Sequence, residues 1–112
     1  MKKVASFLIM LGLGVAPAFA ATSYHNVSLL DVGCSKKAAA SPDAHTRSCA
    51  IMCAKSGYGI LTSDNHFLKF DAKGNQEILK ELKASKETDH LRVNVTGDVK
   101  GDTLKVSSVK LM

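Results

Sequence analysis

The sequence predicts a mainly β (β+α) domain: a five-stranded Greek-key barrel with one helix between strands 1 and 2 and one between strands 3 and 4. Three observations support this fold class. The C-terminal region alternates apolar and polar residues with the period of two that half-buried strands require. Short β-rich runs bounded by turn residues stand earlier in the chain. Two segments with helix start signals separate these runs.

Residues 1–20 have the pattern of a cleavable secretory signal peptide. Lys2 and Lys3 form a basic start, residues 4–15 are apolar, and Ala18-Phe19-Ala20 is a small-x-small cleavage pattern. The apolar run is short for a membrane span, and no second run follows it. We therefore expect residues 21–112 to form a single OB-like domain, periplasmic or secreted, with no membrane insertion after leader cleavage.

The first half of this domain is predicted to contain a strand and a long helix. Residues 26–32 form the strand, Gly33 ends or bends it, and residues 36–40 form a flexible connection. Ser41-Pro42-Asp43 is a helix start, with a capping hydroxyl, a proline at the first helical position and an acid near the positive dipole end. The helix is expected to run to about residue 56 and to end at Gly57.

A hairpin and a second helix are predicted next. Strands at residues 60–62 and 67–70 flank a turn at residues 63–65. Residues 71–74 are read as a loop, and Asn75 is expected to cap the second helix. The apolar face of that helix consists of Ile78, Leu79 and Leu82.

The last two strands show the clearest alternation. Leu91, Val93 and Val95 alternate with polar residues, and Lys100-Gly101-Asp102 turns the chain. Leu104 and Val106 have one phase, whereas Val109 and Leu111 have the other, which predicts a β-bulge near Ser107-Ser108. One core is expected to contain Val93, Val95, Leu104 and Val106, with Leu79 or Leu82 packed beneath the barrel.

This order of strands and helices is that of an OB-fold. The hairpin Leu91-x-Val93-x-Val95-Thr96-Gly97-x-Val99-x-Gly101-Asp102-x-Leu104-x-Val106 resembles that of small exported bacterial OB-fold proteins of unknown function. These proteins are related in outline to the periplasmic bacterial OB-fold stress proteins. Some carry a Cys…His-x-x-x-Cys-x-x-x-Cys segment followed by Gly, which corresponds here to Cys34, His45, Cys49, Cys53 and Gly57. The resemblance implies an OB-like barrel with an extra helix after strand 1, and it implies no activity.

All three cysteines lie in one short stretch together with a histidine. On a helix, His45, Cys49 and Cys53 would share a face, with Cys34 on a preceding loop that can fold back onto it. Cys49 and Cys53 would have Cβ atoms about 5–6 Å apart, farther than the ~3.5–4.5 Å of a disulfide. A bridge from Cys34 to Cys49 or Cys53 is therefore favoured in an oxidising compartment. It would contribute roughly 3 kcal/mol.

Two other states of this cluster stay open. Cys34, His45, Cys49 and Cys53 together suit tetrahedral Zn(II), and thiolates also favour Cu(I). Alternatively, the odd thiol could exchange partners with a disulfide.

Composition and motifs narrow the function classes. The lysines are spread along the chain, and removal of Lys2 and Lys3 reduces the formal charge of +5 by two. With few aromatic residues as well, no nucleic-acid partner is expected. No acid pair, Ser/His/Asp set or phosphate-binding glycine loop emerges, so no enzyme is predicted. His25, His66 and His90 are expected at the surface.

Two functions remain. The first is a non-enzymatic exported binding or stress-protection module, monomeric, whose cluster binds a soft metal ion or a small ligand. The second is a disulfide-stapled structural or interaction protein that contacts another envelope or secreted protein.

Overall fold

The structure, a computed structural model, describes residues 21–112, so the predicted signal peptide lies outside the described residues. The five strands are β1 (Thr22–Asp31), β2 (Tyr58–Leu61), β3 (Phe67–Phe70), β4 (Arg92–Lys100) and β5 (Thr103–Leu111). The α-helices are α1 (Ser35–Ala38), α2 (Arg47–Met52) and α3 (Ala72–Ala84). Within residues 21–112, no helix has the length and apolar character needed to cross a membrane.

The strands close into a barrel in the order β1-β2-β3-β5-β4, and β4 pairs back onto β1. All pairs are antiparallel except β3 with β5, which is parallel. Short helices lie between β1 and β2, and α3 lies between β3 and β4. The predicted five-stranded OB-like Greek-key barrel is therefore confirmed.

The barrel encloses the predicted core. The predicted inward residues of β4 and β5 are all buried: Val93, Val95, Leu104 and Val106. Helix α3 covers one end with Ile78 and Leu82, which are fully buried, and Leu79 packs against the same cluster. The period-two pattern thus identified the inner face of the final hairpin correctly.

The predicted bulge lies at Ser107. Thr96 pairs with Ser108 and Gly97 pairs with Val106, so Ser107 is the extra residue of β5. The Lys73 ammonium donates to the Ser107 carbonyl at 3.2 Å. The bulge returns Val109 to the core, because one inserted residue reverses the alternation of the strand.

Helix α3 begins earlier than predicted. The carboxylate of Asp71 accepts from the backbone N–H groups of Gly74, at 3.1 Å, and Val106, at 3.2 Å. Asn75 lies within the first turns, and its side-chain oxygen accepts from the N–H of Tyr58 at 2.8 Å. The predicted loop at 71–74 and the predicted Asn75 cap are wrong. Asp and Asn are both good caps, and Asp71 serves a second donor on β5 that sequence spacing does not reveal.

Strand β1 begins at Thr22, ahead of the predicted start at Asn26. Asn26 has a φ of 55°, and the register with β4 shifts between Tyr24 and Val27. The N–H of Asn26 donates to the Asn94 side chain at 2.9 Å. Asn26, the predicted first residue of the strand, therefore lies at an irregularity inside β1. Residues 22–24 also belong to the strand because they pair with β4, which closes the barrel.

The helical region between β1 and β2 is divided rather than continuous. Residues 35–38 form α1 where a flexible connection was predicted. The predicted helix over residues 41–56 consists of a 3₁₀ turn at Pro42–Ala44, the helix α2 and a second 3₁₀ turn at Ala54–Ser56. Gly57, with a φ of 84°, ends the region as predicted. Ser41 makes no capping hydrogen bond; Thr46 caps α2 by accepting from the Cys49 N–H at 3.2 Å.

Candidate metal centre at the end of strand β1

Asp31 is the last residue of β1, and its side chain is fully buried. One carboxylate oxygen accepts from the backbone N–H of Cys34 at 2.9 Å and so caps the 3₁₀ turn Val32–Cys34. The N–H of Val32 donates to the Gly57 carbonyl at 2.8 Å, which holds this turn against the start of β2. The end of the strand therefore places the Cys34 side chain next to a buried negative charge.

His45 is the main side-chain partner of that charge. Its Nε2 donates to the other carboxylate oxygen of Asp31 at 2.5 Å, and both side chains are nearly inaccessible to solvent. A buried carboxylate needs such a partner, because an unpaired charge inside a protein is costly. His45 reaches it with extended backbone, at φ −70° and ψ 126°, which interrupts the helix before Thr46. The predicted stripe of His45, Cys49 and Cys53 on one continuous helix is therefore wrong.

An arginine fixes the turn that precedes His45. Two guanidinium nitrogens of Arg92 donate to the two carboxylate oxygens of Asp43 at 3.1 and 3.0 Å. These hydrogen bonds lower the pKa of Asp43 below its usual value. A third nitrogen of Arg92 donates to the Asn26 carbonyl at 2.8 Å. The Pro42–Ala44 turn is thus tied to β4 and to the irregular part of β1.

The structure brings together a carboxylate and two thiols. One ligand atom from each of Asp31, Cys34 and Cys53 lies within 4.8 Å of the others. Two Zn–S bonds of ~2.3 Å at a tetrahedral angle would place the sulfurs about 3.8 Å apart, a separation that falls within the 4.8 Å that spans these ligand atoms. Each carboxylate oxygen has two lone pairs. The hydrogen bonds from His45 and Cys34 therefore leave Asp31 able to bind a metal. We call these three residues the inner group.

The inner group differs from the four-residue set predicted from the sequence. It contains Cys34 and Cys53, but His45 binds Asp31 instead, and Cys49 is exposed. Sequence reasoning missed Asp31. The signal that could have indicated it is an acid at the end of an apolar strand, with Cys34 three residues later. Cys34, Cys49 and Cys53 are free thiols in the structure. Of the two predicted bridge partners of Cys34, Cys53 is the one in the inner group.

A cavity of about 300 Å³ adjoins the inner group. It is lined by Cys34, Lys37, Ala38, Ser41, Ala44, His45 and Cys49. We call it the outer cavity. Cys34 is the one member of the inner group that also lines the outer cavity, so it connects the two.

A nearby charge and burial raise the pKa values of Cys34 and Tyr58. The negative charge of Asp31 raises the pKa of Cys34, and burial and the neighbouring Cys53 act in the same direction. Burial, with smaller contributions from Asp31 and Cys53, raises the pKa of Tyr58 to about 12. The Tyr58 hydroxyl donates to the Ala50 carbonyl at 2.7 Å. In the metal-free protein Cys34 thus keeps its proton at neutral pH, and Tyr58 is a neutral donor. A bound cation would replace that proton favourably beside Asp31.

The other three histidines, His25, His66 and His90, are exposed as predicted. His66 and His90 each lie beside an acid, with Nε2 of His66 3.3 Å from Asp102 and Nδ1 of His90 2.9 Å from Asp89.

No family model, curated protein or solved structure matches this chain. The functional conclusion therefore depends on the geometry of the site.

Proposed function

We propose that this protein is a non-enzymatic, exported OB-like binding module that holds one metal ion through Asp31, Cys34 and Cys53. The observation that carries the proposal is the mutual approach, within 4.8 Å, of a buried carboxylate and two thiols. Asp31 and Cys34 are fixed by the barrel and its capped 3₁₀ turn, so little ordering is needed when the ion binds. This favours binding without large refolding of the site.

Zn(II) fits this donor set better than Cu(I). Zn(II) accepts thiolate and carboxylate oxygen together in tetrahedral sites, whereas Cu(I) favours soft ligands and gains little from the Asp31 oxygen. The hydrogen bond from His45 would orient the carboxylate, as partners of ligating carboxylates do in metal sites. Three protein ligands leave a fourth tetrahedral position for water or an added donor.

Zinc titration of the reduced protein tests this proposal. Under anaerobic conditions, with a chromophoric chelator as competitor, we expect one Zn²⁺ per chain. Cys53→Ser should weaken zinc binding by about tenfold to a hundredfold or more, because it removes a ligand. In metal sites, loss of a residue that only hydrogen-bonds to a ligand already weakens binding by that amount. Ser48→Ala, an exposed change on α2, is the control and should bind like the unmodified protein. Absence of stoichiometric zinc, or equal binding by Cys53→Ser, would contradict the proposal.

The same approach of Cys34 to Cys53 supports a second candidate, the disulfide-stapled structural or interaction protein. Export would place both thiols in an oxidising compartment. A Cys34–Cys53 bridge would contribute roughly 3 kcal/mol by constraining the unfolded chain. Intact mass of exported material, with and without reductant, distinguishes the candidates. The disulfide candidate is favoured if the protein contains no zinc, has a mass lower than that of the reduced chain by two hydrogens, and loses stability on reduction.

The proposed setting follows from the leader pattern and composition. Residues 1–20 support export to the periplasm or beyond, where the protein would act as a monomer on a metal ion or small ligand. The low aromatic content argues against a nucleic-acid partner.

A further inference from the structure

The outer cavity offers an incoming ion a second thiol. Cys49 lines it together with Cys34 and is exposed to solvent, whereas Cys34 and Cys53 are only partly accessible. His45 also lines the cavity, but its Nε2 already donates to the buried Asp31. Cys49 is therefore the donor in the outer cavity best placed to meet an ion at the surface.

Backbone geometry places Cys49 one turn before the inner group. The Cys53 N–H donates to the Cys49 carbonyl at 3.0 Å, and Thr46 accepts from the Cys49 N–H at 3.2 Å. Residues four apart on a helical turn are neighbours on its surface. Cys34 borders both Cys49, across the outer cavity, and Cys53, in the inner group. Cys34 thus connects the exposed Cys49 thiol with Cys53 and the buried Asp31 carboxylate of the inner group.

We propose that Cys49 is the entry and exit ligand for the metal ion, which it passes through Cys34 to the inner group. This inference rests on the proposed zinc-binding function. It makes the protein one that exchanges its ion with a donor or acceptor molecule rather than one that holds a permanent structural zinc. Ligand exchange between thiolates suits this role, since the ion keeps protein ligands at every stage.

The exchange balances in bonds and protons. As zinc arrives, a bond to its donor chelator breaks while the Cys49 thiol loses a proton and binds. Cys34 then loses its proton and binds as the remaining chelator bonds break and the free chelator leaves, so that both thiolates of the outer cavity hold the ion. Next Cys53 loses a proton, Cys53 and Asp31 bind, the Cys49–zinc bond breaks, and the Cys49 thiolate takes up a proton. The net change is one zinc bound and two protons released, from Cys34 and Cys53. No electron is transferred.

Stopped-flow measurement of zinc transfer tests this order. The reduced protein is mixed with a zinc–chelator complex to follow loading, and the loaded protein is mixed with excess chelator to follow removal. Cys49→Ser should slow both rates by about tenfold, which corresponds to barriers higher by ~1.4 kcal/mol. Its equilibrium affinity should stay within about threefold of the unmodified protein, because loading and removal slow together. Ser48→Ala, the neighbouring exposed change, should alter neither rate.

Each alternative result has a distinct meaning. If Cys49→Ser loads and releases zinc at unmodified rates, Cys49 is not an entry ligand, although the inner group could still bind the ion. If Cys49→Ser weakens the affinity as strongly as Cys53→Ser, Cys49 is a permanent fourth ligand and the relay is wrong. If the unmodified protein binds no zinc, the proposed function fails and the relay fails with it.

Discussion

Asp31 shows how one buried side chain organises a site. Its carboxylate accepts hydrogen bonds from the His45 ring and the Cys34 backbone, and it lies beside the sulfurs of Cys34 and Cys53. The backbone and imidazole partners compensate the buried charge, while that charge raises the pKa of Cys34 and keeps this thiol protonated. A cation would reverse that balance, since it is attracted to the carboxylate and favours thiolates.

Replacing Asp31 with Asn should make Cys34 more reactive. The carboxylate is the largest cause of the raised pKa of Cys34, so removing its charge lowers that pKa and increases the thiolate fraction at pH 8. We expect faster alkylation of Cys34 in Asp31→Asn, measured by peptide-resolved mass spectrometry on the folded, metal-free protein. Cys49 in the same chain is the internal reference. If the alkylation rate of Cys34 does not rise relative to that of Cys49, the Asp31 charge does not control the reactivity of the Cys34 thiol.

At the scale of elements, short polar contacts join helix to strand. The Asp71 carboxylate caps α3 at Gly74 and also accepts from Val106, just before the bulge of β5. Lys73 reaches the carbonyl of Ser107, the bulged residue. The start of α3 and the bulge of β5 are therefore held together by hydrogen bonds made by two side chains of the helix start. The sequence indicates the bulge, but it places the helix start at Asn75 and does not show that the two features meet.

Asp71→Ala should destabilise the domain by about 1–3 kcal/mol, because it removes a cap and leaves the Val106 N–H without its acceptor. Chemical denaturation, with one m-value fitted to all variants, would measure the loss in free energy of unfolding. Asp71→Asn, which keeps a side-chain oxygen, is the matched control and should lose less. Equal losses in the two variants would mean that charge, rather than the acceptor oxygen, is what matters at this position.

Gly97 is required by the close approach of the strands at the bulge. A Cβ on it would clash with the Lys105 carbonyl oxygen, so the backbone must shift to accept a side chain. We expect Gly97→Ala to destabilise by roughly 1–3 kcal/mol or more, as for other overpacked sites. Gly101→Asn is the control: the position is open, and Asn tolerates its φ of 61°. Similar melting temperatures for both variants would show that β4 and β5 separate easily here.

At the scale of the whole molecule, the closed barrel determines which apolar residues matter. Val95 and Val99 lie on the same strand, yet Val95 is 2% exposed and Val99 is 42% exposed. The difference arises because Val99 lies next to the end of β4, near the turn that joins β4 to β5. Strand β1 pairs with β4 and closes the barrel, and the apolar residues of α3 pack against its core. Together they bury the rest of the inner face.

Val95→Ala should therefore lower the free energy of unfolding by roughly 1–3 kcal/mol, whereas Val99→Ala should change it by about 0.5 kcal/mol or less. Both variants lose the same two methyl groups from β4, so their comparison isolates burial from strand propensity. Guanidinium denaturation followed by circular dichroism would give both values. Equal destabilisation would contradict the described barrel interior.

Local patterns in the sequence determined the fold class and much of its detail. The period of two located the inner face of β4 and β5, the change of phase located the bulge at Ser107, and Gly57 marked the end of the helical region. Each of these signals lies within a few residues of the feature it specifies. The OB-like order then follows from the sequence of elements.

Only the tertiary structure decided the candidate site. Asp31 and His45 are separated by 14 positions in the chain, and their hydrogen bond exists because the barrel brings the end of β1 against the following turns. That bond interrupts the helix predicted from spacing, removes His45 from the expected ligand set and introduces Asp31 instead. A local pattern cannot show which partner compensates a buried charge, because the choice depends on contacts that form only when the chain closes on itself.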